Sequence, residues 1–186
     1  MPKLLTLLVV CLQPCLLLAG AQGERKYINH GFAFSMSLPK LPAEAAVILE
    51  TAPIHSDHGF RIDLVERGER SIGVFAVYNA SYEENTEGAF LDWLREGPYK
   101  DLRVSSHGRV ECHGLAGFRA ILVQSAEDGR EVMVEVIRVY REARGESPGI
   151  WYEFSLKSDK KHYVDDSSLF SALVSSFEPT RSKFLE

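Results

Sequence analysis

Glu131-Val132-Met133-Val134-Glu135-Val136-Ile137-Arg138-Val139-Tyr140 is the stretch that decides the fold. In an extended chain successive side chains point to opposite faces. Val132, Val134 and Val136 then share one face, and Met133, Ile137 and Val139 the other. A strand that is apolar on both sides needs cover on both sides. Of the neighbouring segments, one is likewise apolar throughout its centre and the other alternates. Phe118–Gln124 is apolar through its centre from Ala120 to Val123, and Ile150, Tyr152 and Phe154 alternate with Trp151, Glu153 and Ser155. The turn Glu127-Asp128-Gly129-Arg130 and the connection Gly145–Gly149 are short, and short turns join antiparallel strands.

Working outward, Phe32, Phe34, Met36 and Leu38 alternate with small residues and stop at Pro39 and Pro42, which marks an opening strand. Ala46–Glu50 reads as a second strand. Phe60, Ile62 and Leu64 alternate, Arg67-Gly68-Glu69-Arg70 turns the chain, and Ile72–Tyr78 returns, which predicts a hairpin. Val104–Cys112 reads as a strand, with Ser105-Ser106-His107-Gly108 as a bend or bulge.

Two segments have the helical period instead. In Thr86–Glu96, Ala89, Phe90, Trp93 and Leu94 fall on one face. Asn85 or Thr86 is placed to cap the start, and Gly97-Pro98 to stop the helix through a left-handed glycine. In Asp166–Phe177, Leu169, Phe170, Leu173, Val174 and Phe177 form an apolar stripe. Asp165 or Asp166 is assigned as the cap and Pro179 as the stop. The expected class is α+β: a central, mostly antiparallel sheet of about six to eight strands flanked by helices, an α/β/α sandwich.

The N-terminus adds a compartment. Met1-Pro2-Lys3, an apolar run from Leu4 to Leu18, and Ala19-Gly20-Ala21 have the pattern of a cleavable signal, too short for a comfortable membrane span. We therefore divide the chain into a signal at 1–21, one domain at 22–179 and a tail at 180–186. The expected product is exported, periplasmic or extracellular, and soluble. Ala21 stands where a lipidated cysteine would follow Leu18-Ala19-Gly20, so no lipid anchor is expected. Cys11 and Cys15 leave with the signal, and Cys112 remains alone, without an intramolecular disulfide partner. It reads as a small buried strand residue or as a reactive thiol. The net charge of −5, which loss of Lys3 lowers further, argues against nucleic acid as a partner.

Three local patterns carry a resemblance. They are Gly31-Phe32-Ala33-Phe34-Ser35-Met36-Ser37-Leu38-Pro39, Gly114-Leu115-Ala116-Gly117-Phe118-Arg119 before an apolar strand, and Trp151-Tyr152-Glu153-Phe154-Ser155-Leu156 followed by a helix closing in Leu173-Val174-Ser175-Ser176-Phe177. Together they resemble the PsbP/Mog-type α/β/α sandwich and its exported relatives, the DcrB-like and LpqN-like proteins. The resemblance implies assembly, scaffolding or binding roles, and it carries over no catalytic residue. Two departures stand out: the lipidated cysteine of many bacterial relatives is missing, and Lys40-Leu41-Pro42 replaces the tryptophan that usually follows the opening Leu-Pro.

Candidate chemistry is sparse. His55, Asp57 and His58 in His55-Ser56-Asp57-His58 could ligate zinc or copper with help from His30, His113, Glu111 or Cys112. The same residues also read as an exposed polar turn. Cys112 and His113 are strand neighbours and should face apart. Glu83, Glu84 and Glu87 read as a solvated helix start, with a calcium site as the alternative. Glu135 would pair with Arg119, Arg138 or Arg141. Trp151, opposite the Tyr152 face, would line a groove or lie beneath a helix, and Asn79-Ala80-Ser81 fits the glycosylation sequon. No Gly-x-Ser-x-Gly elbow, phosphate-binding loop or His-Glu-x-x-His motif occurs. These features imply no cofactor and no enzymatic activity. The expected function is that of an accessory or binding protein acting through a protein partner or the cell envelope. A small-ligand or metal carrier is the alternative.

Overall fold

A computed structural model describes residues 25–50, 58–65, 69–125, 129–144 and 148–180. Residues 1–24, 51–57, 66–68, 126–128, 145–147 and 181–186 lie outside them. The elements run β1 (Arg25–Asn29), β2 (Phe34–Leu38), β3 (Ala46–Glu50), β4 (His58–Asp63), β5 (Ser71–Tyr78), α1 (Glu87–Glu96), β6 (Arg103–Cys112), β7 (Leu115–Ser125), β8 (Glu131–Arg141), β9 (Ile150–Asp159), α2 (Tyr163–Ser175) and β10 (Glu178–Pro179).

Seven strands form one antiparallel sheet in the order β3-β4-β5-β9-β8-β7-β6. It consists of two meanders, β3–β5 and β6–β9, joined where β9 pairs with β5. The bend foreseen in β6 is a register shift between Val104 and Ser106. The two-faced strands are covered twice, as their sequence requires. On one side α1 lays Phe90 and Leu94 on Phe118, Leu122, Val134 and Val136. On the other, α2 and a small sheet bury Phe60, Ile62, Ile137, Val139, Tyr152 and Phe154.

The small sheet, order β1-β2-β10, is the main addition to the sequence reading. The opening strand belongs to it, not to the central sheet. Phe34, Ser35 and Met36 are all buried, because β2 is pressed between two flanking strands and the core. Phe177 follows α2 and packs against Phe34, Tyr152 and Phe154 with ring centroids 5.8, 5.0 and 5.1 Å away. The Tyr152 hydroxyl donates to the Phe32 carbonyl at 2.8 Å, which bonds central sheet to small sheet in the dry interior. Thr180 donates its N–H to the Ala33 carbonyl at 2.7 Å.

Helix ends differ in detail from the sequence reading. Thr86 caps α1 by accepting from the Ala89 N–H, but Gly97 has φ −96°, outside the left-handed region. Glycine is needed there for space, since a Cβ would lie 2.6 Å from the Trp93 carbonyl oxygen. Helix α2 begins at Tyr163 behind His162, which makes no side-chain cap. Asp166 is no cap either. It lies inside the helix, 5% exposed, where Arg70 donates through Nε at 2.8 Å and Nη2 at 2.5 Å, and Ser158 Oγ donates at 2.5 Å. Pro179 sits in β10, past the helix end.

Two predictions follow from this interior. Arg70→Ala leaves the Asp166 carboxylate buried with one hydroxyl partner and should cost about 3–5 kcal/mol in urea unfolding. Burial raises the Cys112 thiol from its ordinary 9.0 to about 11 and, with the Glu135 bond, the Tyr163 phenol from 10.0 to about 12. Tyr99 and Tyr152 are raised as well, again mainly by burial. Their folded values exceed the unfolded ones, so their contribution is complete below about pH 9 and lost as pH rises towards 12. Thermal melts should therefore show a midpoint that falls steadily from about pH 9 upward.

Candidate functional site

A cleft of about 690 Å³ lies at one end of the central sheet. Three connections form it: the β5–α1 loop, the β6–β7 turn at His113-Gly114, and the chain leaving β8. The turn is tight because His113 and Gly114 both have positive φ, +49° and +78°.

The β5–α1 loop is held from within by Asn79, which is 7% exposed. Its Oδ1 accepts from the Glu83 N–H at 2.8 Å, and its Nδ2 donates to the Glu83 carbonyl at 2.8 Å and to the Tyr140 hydroxyl at 3.4 Å. Its own N–H donates to the Gly149 carbonyl at 2.8 Å. One residue thus closes the loop on itself through its side chain, ties it to β8, and through its backbone ties it to the residue before β9. The sequon nitrogen is buried and bonded in the folded protein, which removes it as a glycan acceptor there.

At the tip stands Tyr82, 90% exposed, with φ +54°. A bulky residue in the left-handed region carries a conformational cost and persists only where its surroundings over-determine it. The surroundings are visible. Beyond the Asn79 clamp, the Glu83 carboxylate pairs with Arg138 at 3.0 Å. Arg138 is itself held between the Trp93 and Trp151 rings, 4.3 Å from each centroid, so the loop is braced by α1, β8 and β9 together. Trp151 therefore lies beneath α1, one of its two foreseen places. Asn85 donates to the Ala116 carbonyl at 3.2 Å, while its buried Oδ1 meets no donor among the described residues.

The other candidates fall apart from this cleft. His55 and Asp57 lie outside the described residues, and only the backbone of His58, at the start of β4, lies within them. Among the described residues no group of three or more His, Cys, Asp or Glu is placed to hold a metal. Glu83 and Glu87 turn to Arg138 and His107, not to a shared cation. Cys112 is buried with its sulfur 3.9 Å from the Val174 carbonyl, and His113 Nε2 lies 3.0 Å from the Ser175 carbonyl. The thiol faces the interior with a raised pKa, opposite to an activated thiolate. Glu135, 2% exposed, takes Arg119 at 2.8 Å and the Tyr163 hydroxyl at 2.8 Å. Arg138 projects from the opposite face and Arg141 donates to the Thr180 carbonyl, so only Arg119 of the three foreseen arginines is the partner. This network joins β7, β8 and α2 and shares no residue with the cleft. Among the described residues no helix is long and apolar enough to cross a membrane.

No family model matches the chain, and no curated protein matches it in sequence. Solved structures do match. The solution structure of cyanobacterial PsbP (CyanoP) from Synechocystis sp. PCC 6803 is 12% identical, covers 90% of this chain and 98% of its own, and superposes with a TM-score of 0.57. The Ran-binding protein Mog1p of Saccharomyces cerevisiae is 12% identical, covers 89% and 100%, and gives 0.50. LpqN of Mycobacterium tuberculosis is 10% identical, covers 84% and 91%, and gives 0.45. With its seven-stranded antiparallel sheet under a helix on each face, the chain has the PsbP/Mog-type α/β/α sandwich fold.

Proposed function

We propose that this is an exported, non-enzymatic binding protein that acts through a protein partner docked at the Tyr82 end of the sheet. The observation that carries the reading is Tyr82 itself: a tyrosine 90% exposed, at φ +54°, on a loop clamped by a buried asparagine and a stacked arginine. Solvated loops have no need for an aromatic residue held out in a strained conformation. Recognition sites do, because a large, pre-ordered aromatic loses little entropy on contact and supplies much of the binding energy. Export is supported by the signal pattern at 1–21. A partner-binding role also agrees with Mog1p, a Ran-binding protein on the same fold.

A second reading has one observation in its favour. A cleft of about 690 Å³ is in the size range of small-ligand sites, and Asn85, whose buried Oδ1 meets no donor among the described residues, is one of its lining residues. A carrier would place its ligand beneath Tyr82. The histidine cluster at 55–58 would serve only a metal carrier.

Affinity capture from the exported fraction with wild-type and Tyr82→Ala baits tests the partner reading. Wild type should retain a protein that Tyr82→Ala holds about tenfold or more weakly, with stability unchanged to within about 0.5 kcal/mol. Equal recovery by both baits would sink it. Asn79→Ala should lose about 1–3 kcal/mol, because it leaves the Glu83 amide and carbonyl unpaired. Amide exchange in residues 80–84 should rise in that variant, and capture should weaken although Tyr82 is intact.

A further inference from the structure

The two edges of the central sheet are built differently. Strand β6 is bulged between Val104 and Ser106, and it exposes Arg103, His107, Arg109 and Glu111. Bulges and charges are the usual devices that keep an edge from pairing with another chain. Strand β3, at the opposite edge, has no bulge, and its one charged residue is the terminal Glu50. It pairs with β4 without a register shift, and its first four residues are Ala46-Val47-Ile48-Leu49. Val47 and Leu49 are 37% and 49% exposed, two of the few large apolar side chains left in solvent. They lie in register with Ile62 and Phe60, both fully buried, so the exposed pair continues the rim of the larger core. Backbone N–H and C=O groups alternate between the two sides of a strand. At least two residues of β3 therefore direct theirs away from β4, where the described residues hold no further strand.

We infer that β3 is the contact through which two copies of this chain associate, antiparallel, into one continuous sheet across a twofold axis at Ile48. The sequence of the strand is its own complement under that operation. Val47 falls opposite the partner's Leu49, Ile48 opposite the partner's Ile48, and Ala46 opposite the partner's Glu50. No like charges meet, and apolar side chains pair at the three central positions. A foreign segment would have to bring this pattern; the second copy already carries it. The contact is isologous, so it closes at a dimer and does not propagate into fibres. A five-residue strand buries less than the ~1,200 Å² typical of stable complexes, which makes this a weak, concentration-dependent dimer. The cleft beneath Tyr82 lies at the end of the sheet and shares no lining residue with β3, so the inference stands independently of the proposed partner.

Sedimentation equilibrium on the purified protein as its host processes it, loaded up to about 1 mM so that a weak contact is populated, provides the test. Wild type should rise with concentration from the monomer mass towards twice that mass. Leu49→Lys should stay monomeric across the range, with its low-concentration thermal midpoint unchanged, and Arg109→Ala on the other edge should dimerise like wild type. Hydrogen exchange on the wild type supplies a readout that needs no variant: amide protection in residues 46–50 should increase with protein concentration. A wild type that remains monomeric at every loading overturns the inference, as does a dimer that survives Leu49→Lys or leaves exchange in β3 unchanged.

Discussion

Strand β8 is apolar on both faces, and the rest of the molecule is arranged around that constraint. Val134 and Val136 need one cover, Ile137 and Val139 another. Helix α1 supplies the first, with Tyr99 and Leu102 from the connection that follows it. The second is assembled from the two ends of the chain, β1–β2 from the start and α2–β10 from the finish. Both ends meet on β9, where Phe177 packs against Phe34, Tyr152 and Phe154. Each large side chain so buried contributes on the order of 1.5–3 kcal/mol. The Tyr152 bond to the Phe32 carbonyl adds direction to a contact that apolar packing alone would leave free to slide.

Buried charge supplies the specificity that packing lacks. Asp166 and Glu135 both lie at the interface of α2 with the sheet, and each has an arginine and a hydroxyl as partners. Such groups contribute little net stability, because desolvation offsets most of the attraction. Their effect is on register. A shift of α2 by one turn would strand two carboxylates among apolar side chains, at several kcal/mol each. The third buried ion, Arg138, works on the other face, and there it braces the loop that carries Tyr82.

Much of this was legible in the sequence, because hydrophobic period reports burial directly. The two-faced strands, the β4–β5 hairpin, the α1 stripe with its Thr86 cap and the irregularity in β6 all follow from side-chain spacing. The misses have a common cause. In β1, Tyr27 turns to the core while Ile28 stays exposed, so that strand left no clear alternation to read. Asp166 looked like a cap because an aspartate before an apolar stripe usually is one; only Arg70, 96 residues away in sequence, makes it a core residue. Asn79 matched a sequon because three residues cannot reveal burial. Tyr82 gave no signal at all, since its significance lies in a backbone angle and not in its identity or spacing.

The stiffness of the candidate site is thus a property of the core, delivered to the surface through a short relay. Trp93 belongs to α1 and Trp151 to β9, and both hold Arg138. Arg138 holds Glu83, and the backbone of Glu83 closes the loop through Asn79. None of these contacts involves α2 or the small sheet. The Tyr82 loop is therefore braced through the α1 cover, while the cleft beside it also touches the other cover, where Arg141 donates to the Thr180 carbonyl. Breathing of the α1 layer would loosen the loop and relax the positive φ that keeps the ring extended. A partner that grips Tyr82 must in turn stabilise α1 against local unfolding, because binding to an ordered loop shifts the equilibrium of every element on which that order depends.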